Sequence, residues 1–385
     1  MHKKIWFKIH LVLGLTAGII LLIVGTTGAI LSFEKEILKA INNNSYEVSV
    51  PNNPKLSTKV LLEKFQENMP ESKINSISFS SDTVSSVVIN IAGEGKDARR
   101  GINYFVNPYT AEVLADLQGK DFFSFVQRLH RWLAFTGDTR EVGKQVVAIS
   151  TVALIFLSIS GVIVYWGRIK RALFKSLTFS FKHHGRAFMS TMHSSVGMWV
   201  LPFYLLASLT GLYWSYEWYN TALYNIAGVE KPQRNMQKKE EPKKEELKTE
   251  NSASSKKSNF DSHQKAIEMF NIFVQREYVN AIMKFPQKGS TYTISYLDIN
   301  ADHYRARNNL ELDTKSWRLL KHERYEDKAL NEQLMQSILP LHSGEYFGRI
   351  GQIGMFIASA MMSLFTITGF MLYINRTRKK KRSSN

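Results

Sequence analysis

Two histidines of this chain open the same pattern. His10 is followed by Gly14, Thr27-Gly28 and Glu34, and His193 by Gly197, Thr210-Gly211 and Glu217. The offsets are identical, at +4, +17, +18 and +24, and each copy encloses a long apolar run. A buried imidazole at the same depth of two related helices suggests a pair of ligands to one metal. Two further histidines, His130 in Leu-His-Arg-Trp-Leu and His342 in Pro-Leu-His-Ser-Gly-Glu-Tyr-Phe-Gly, precede two other apolar runs. Neutral imidazole is the usual axial ligand of haem iron. His10 with His193 and His130 with His342 are therefore two candidate ligand pairs. Any one of them alone fits an interfacial imidazole that anchors a helix end and reaches headgroups. Their arrangement as two same-level pairs favours ligation. His2, His183, His184, His263, His303 and His322 fall in polar segments and read as solvated surface residues.

The glycines bear on the same chemistry. A porphyrin edge needs close backbone, which Gly14, Gly28, Gly197 and Gly211 would allow; generic packing through small residues is the alternative. Along a helix Thr27 and Thr210 stand roughly 25 Å from their histidines. That is the level expected of the second pair, while Ser160-Gly161 and Thr368-Gly369 fall near the first. Arg128, Arg131, Lys144 and Arg349 are candidate partners for outer propionates, and Lys8, Lys182 and Arg186 for inner ones. Snorkelling to lipid phosphate is the plainer account of each of these cations and the favoured one.

The elements that would position these residues are four stretches, near 11–33, 146–166, 192–216 and 350–374, each long and apolar enough to span a bilayer. The first lacks an Ala-x-Ala-like cleavage site and reads as an uncleaved anchor. The net charge of +17 would suit nucleic acid, but its placement argues for a membrane instead. Lys3, Lys4 and Lys8 precede span one; Arg168, Lys170, Arg171, Lys175, Lys182 and Arg186 join spans two and three; Arg376, Arg378, Lys379, Lys380, Lys381 and Arg382 follow span four. The positive-inside rule then puts both termini in the cytoplasm and the two long polar segments outside. The chain has no cysteine, which excludes disulfides, iron–sulfur clusters, thiolate-ligated haem and c-type attachment, but not haem held by histidine.

Spans two and four also share an ending, Ser160-Gly161, Tyr165, Arg168 against Thr368-Gly369, Tyr373, Arg376. The chain thus reads as two parallel copies of one unit: helix, external domain, helix. The expected divisions are a first transmembrane helix with its cytoplasmic N-terminus at 1–34 and a first external domain at 35–143. Helix two follows at 144–168, a basic loop at 169–189 and helix three at 190–217. A second external domain fills 218–341, helix four 342–376 and a basic tail 377–385. Each external segment predicts an α+β module. The first has a helix near 57–68, strands near 74–79, 84–92 and 102–106, and a turn at Asn107-Pro108-Tyr109-Thr110. The second has a helix near 262–276 and strands near 281–285, 291–297 and 305–312. The lysine–glutamate–serine run at 230–260 has too few apolar residues to order itself and reads as a flexible insertion. No phosphate-cradling glycine loop is present: Gly348-x-x-Gly351-x-x-Gly354 has the wrong spacing, and Gly93-Glu-Gly-Lys is too short. A His-Glu-x-x-His zinc motif is also missing. Any flavin or nicotinamide donor must belong to another protein.

Taken together, His10…Gly14…Thr27-Gly28, Leu129-His130-Arg131, His193…Gly197…Thr210-Gly211 and Leu341-His342-Ser343-Gly344…Gly348 resemble the PepSY-associated transmembrane family, often called iron-regulated membrane proteins. The resemblance covers essentially the whole chain. It implies a membrane all-α fold: a four-helix transmembrane bundle built as two parallel repeats, with two α+β PepSY-like extracytoplasmic domains. Members include bacterial inner-membrane ferric-siderophore reductases holding two b-type haems. The resemblance therefore implies two haem b groups on His10, His193, His130 and His342 and a ferric siderophore or other ferric chelate as substrate. The electron donor would be a cytoplasmic reductase, flavin or quinol, the protein's surroundings would be membrane lipid, and nucleic acid is not a partner. The charged insertion at 230–260 departs from compact members. Two other readings stand beside this one: a non-enzymatic membrane protein whose PepSY-like modules bind or regulate a partner such as a protease, and a permease. A permease would more often show Gly/Pro-broken spans, and here only Pro202 interrupts one.

Overall fold

A computed structural model of the chain describes residues 2–98, 100–232, 260–286 and 291–382. Most of the run at 230–260 lies outside the described residues. Four helices are long and apolar enough to cross a membrane. They are α1 (His2–Leu31) and, with the shorter helices numbered as they occur, α5 (Arg140–Arg171), α6 (Gly185–Ser215) and α11 (Gly348–Arg382). The intervening helices are α2 (Glu34–Ile41), α3 (Thr58–Asn68), α4 (Lys120–Trp132), α7 (Glu217–Ala227), α8 (Asp261–Val274), α9 (Leu330–Gln336) and α10 (Ile338–Ser343).

The long helices form a bundle. α1 packs against α5 and α11, and so does α6, so α1 and α6 lie across a diagonal. Their shared interior holds Ala17, Leu21, Ala153, Val200, Ala358 and Met362, with the Tyr204 hydroxyl donating to the Ala358 carbonyl at 2.8 Å. Small residues let backbones approach, as van der Waals packing in lipid requires. A Cβ at Gly25 would come within 2.5 Å of Met362 Cβ and 2.8 Å of the Ser359 carbonyl.

The short helices α4 and α10 lie against the bundle. α4 packs on α1 and α5, and α10 on α6. Each is held at its C-terminal end by a glycine on the following long helix. A Cβ at Gly143 would stand 2.1 Å from the Trp132 carbonyl, and one at Gly351 would stand 2.4 Å from the Gly344 carbonyl. Neither approach is open to any other residue type.

The two long polar segments join in one antiparallel sheet. Its strands are β1 (Ile74–Phe79), β2 (Val87–Ile91), β3 (Ile102–Val106), β4 (Tyr278–Lys284), β5 (Thr291–Asp298), β6 (Asn308–Asp313) and β7 (Leu319–Glu323). The order is β3-β2-β1-β4-β5-β6-β7. β1 and β4 pair with Ser76 opposite Lys284 and Ser78 opposite Ile282, so the segments expected as two modules meet at the middle of one sheet. Alternation divides its faces. Ile77, Ile89, Ala281, Met283, Ile294 and Leu310 point into a core closed by Leu61, Leu62 and Phe65 of α3 and Ala266 and Phe270 of α8. α3 starts where Ser57 caps it, accepting from the Val60 amide at 3.3 Å. The opposite face carries Ser76, Ser78, Asn90 and Asn103.

Candidate haem-ligand pairs

The helices bring the four histidines together in two pairs. His10 on α1 faces His193 on α6 with ring centroids 6.3 Å apart and planes at 75°. His130 on α4 faces His342 on α10 at 6.3 Å and 71°. The first pair sits where α1 and α6 cross the diagonal of the bundle. The second is brought in from the side by the two short helices.

Each ring is fixed by a hydroxyl-glycine dipeptide on another helix. His10 Nδ1 lies 2.9 Å from Ser160 Oγ, and His193 Nδ1 lies 2.7 Å from Thr368 Oγ1. His130 Nδ1 lies 3.1 Å from Thr27 Oγ1, and His342 Nδ1 lies 3.0 Å from Thr210 Oγ1. These hydroxyls sit inside helices and already donate to backbone carbonyls: Ser160 to Leu157, Thr27 to Ile23, Thr210 to Leu206 and Thr368 to Leu364. A hydroxyl has one proton to give. With that proton given to the helix, the oxygen accepts, and the imidazole must carry its proton on Nδ1. The Val24 carbonyl, 3.0 Å from His130 Nδ1, demands the same tautomer, because a carbonyl can only accept. Nε2 is then unprotonated in each ring and free to bind a metal. Orientation of a ligating imidazole through its other nitrogen is the usual supporting device.

The glycine of three of these dipeptides lies against the ring it serves, whereas a Cβ on Gly369 would meet nothing within 4 Å. A Cβ on Gly28 would lie 3.2 Å from His130 Cε1, on Gly211 3.3 Å from His342 Cε1 and on Gly161 3.5 Å from His10 Cε1. Gly28 and Gly211, read as openings for a porphyrin edge, thus face imidazoles. Gly14 and Gly197 line a cavity of 310 Å³ beside the inner pair, together with Leu157, Phe365 and both inner histidines. Phe365 packs edge-on to His193 at 5.1 Å, and Trp214 does the same to His342 at 5.5 Å.

Burial holds the outer imidazoles neutral, pushing His130 and His342 down to about 4. Of the cations proposed for propionates, Arg186 lines the cavity beside His10 and His193, as does Arg376 at the end of the fourth span, which the sequence did not single out for that role. Arg349 is bound to Glu36 at 2.5 Å and Lys144 to Glu141 at 3.4 Å. Arg131 packs over the Trp132 ring at 4.9 Å. His303, read as a surface residue, is buried instead. Its Nε2 lies 2.9 Å from Ser337 Oγ and 3.2 Å from the Tyr325 hydroxyl, and Ser337 begins the helix that carries His342.

The pair spacing can be tested against haem. Nitrogen–metal bonds of about 2.0–2.1 Å on each side put two imidazole centroids about 6.2–6.4 Å apart. Both observed separations are 6.3 Å. A pair of imidazoles at this spacing, apolar walls and arginines at one end of the cavity would suit haem. No cluster of three or more His, Asp, Glu or Cys able to hold a bare metal ion occurs among the described residues.

No curated protein matches the sequence. A family profile described as the PepSY-associated TM region matches residues 7–376. The match runs from before His10 to beyond Thr368-Gly369 and includes all four histidines and the dipeptides that seat them; the chain belongs to the PepSY-associated TM-region family.

Proposed function

We propose that this chain is a di-haem b oxidoreductase of the bacterial cytoplasmic membrane, with both termini inside, that reduces a ferric chelate at its external face. The observation that carries the reading is the twofold occurrence of paired imidazoles with centroids 6.3 Å apart, each with Nδ1 against a hydroxyl on another helix. Haem iron supplies one-electron redox chemistry when bound. The residues do the rest. His10 with His193 and His130 with His342 would hold the two groups, and Ser160, Thr368, Thr27 and Thr210 orient the rings. Leu157, Phe365 and Trp214 keep water from them, and Arg186 and Arg376 would meet carboxylates at the inner end. Each ferric ion takes up one electron, supplied by a cytoplasmic reductase, flavin or quinol, and the chelate then releases Fe(II).

The purified chain in detergent is expected to show a haem absorption band that sharpens on dithionite reduction and is bleached back by a ferric chelate. His193→Ala should lower the haem-to-protein ratio by about half. A colourless protein after expression with ample haem would overturn the reading and favour a partner-binding module. Unchanged stoichiometry in the variant would overturn the inner pair.

A further inference from the structure

The face of the sheet turned away from α3 and α8 forms a groove of 1540 Å³. Its floor is one cross-strand row, Asn103, Asn90, Ser76, Lys284 and Thr293, on five successive strands. The lining holds four cations, Lys39, Lys73, Arg100 and Lys284, and one carboxylate, Asp82. Asp82 is committed locally, accepting from the Ser85 amide at 2.6 Å and from the Ser80 hydroxyl at 2.8 Å. Lys39 pairs with Glu47 at 2.8 Å. Lys73, Arg100 and Lys284 have no ion-pair partner among the described residues.

One side of the groove lies toward the helix that carries His130. Arg100 lies near enough to Arg131 for their like charges to act on each other, and Arg131 directly follows His130. Lys39 belongs to α2, and α2 packs through Leu38 and Ile41 against Gly119, at the start of the helix that carries His130. A peptide could not add here as a strand, because the floor strands already pair with one another. The volume exceeds the roughly 300–1,000 Å³ of a pocket for a drug-sized ligand and suits a bulky, oxygen-rich complex.

We propose that this groove docks the ferric chelate and that the chelate it selects is anionic. The inference rests on the reading of the chain as a ferric-chelate reductase and names the substrate class and the place it binds. Hydroxyls and amides of the floor meet the chelate's oxygens, while Lys73, Arg100 and Lys284 offset its charge.

Gallium(III) complexes separate binding from reduction, because gallium(III) is not reduced under these conditions. An anionic gallium tris-catecholate is expected to bind the full chain, and a gallium tris-hydroxamate made cationic by a pendant ammonium to bind at least about tenfold more weakly. In the variant K73Q/R100Q/K284Q the anionic complex should weaken by about tenfold, with KM for its ferric counterpart rising alike and kcat unchanged. Each single variant should give a smaller weakening, which preserves the test if the triple variant does not fold. Equal affinity of native and triple variant for the anionic complex, or no preference for it over the cationic one, overturns the proposal. Reduction with an unaltered KM in the variant would sink the groove and leave the reductase reading standing. Charge-dependent gallium binding without iron reduction would do the reverse.

Discussion

A serine or threonine hydroxyl inside a helix has little freedom. Its proton goes to the carbonyl a turn back, and what remains is an acceptor pointing sideways. In this chain four such acceptors each meet an imidazole Nδ1. Thr210→Val removes the acceptor for His342 at nearly constant volume. Loss of such a supporting hydrogen bond costs about 10–100-fold in affinity for the bound group. The variant should therefore retain less haem at the outer pair only, with an altered midpoint potential in redox titration; two unchanged potentials would contradict the tautomer argument. Gly211→Leu should abolish the outer pair, since even a Cβ stands 3.3 Å from the ring. A different histidine predicts a pH dependence. His263, against Phe285 at 3.9 Å and with Nδ1 3.1 Å from the Tyr292 hydroxyl, is pushed down to about 4 by burial. Its unfolded value is about 6.5. The unfolded chain then binds the extra proton in this window, so stability is full above about 6.5 and falls as pH drops toward about 4. Thermal unfolding of the external part should show that acid slope, and His263→Gln should flatten it.

At the scale of elements, the two short helices explain how the outer pair forms at all. Neither His130 nor His342 lies in a span. Each is carried to the flank of one, and glycine in the following helix lets the short helix end press directly on it. Helix packing inside the bundle uses the same device. Gly25→Ala would set a Cβ against Met362 Cβ and the Ser359 carbonyl, so α1 and α11 must part. Overpacking of this kind costs about 1–3 kcal/mol. Gly167→Ala meets nothing within 4 Å and should leave the thermal midpoint in detergent nearly unchanged. A Gly25→Ala midpoint equal to that of Gly167→Ala would refute the packing account.

At the scale of the molecule, the external segments are interdependent. β1 and β4 are neighbours in the middle of the sheet, and α3 and α8 cover one core drawn from both segments. Residues 35–143 expressed alone would expose β1 as an unpaired edge and lose half of that core. Such a fragment should aggregate or show little protected amide hydrogen, whereas a monomeric, cooperatively unfolding fragment would contradict this. The shared sheet also ties together the two short helices, since the helix of His130 follows β3 and that of His342 follows β7.

The sequence alone marked the four apolar spans and both histidine pairs, because an apolar run of sufficient length and a repeated offset are local properties that need no knowledge of packing. It also located six of the seven strands, whose alternation is local too, and missed β7; it placed Ser160-Gly161 and Thr27-Gly28 level with the histidines they meet by helical rise. The hydroxyl's part in setting each ring went unread, although Ser or Thr precedes Gly at all four places. What decides it is which helix faces which, and nothing in a linear pattern specifies that. The same holds for the pairing of β1 with β4, for the burial of His303 against Ser337 and for the cationic groove. Each joins residues far apart in the chain, and only the closing of the sheet and the packing of short helices on long ones brings them into contact.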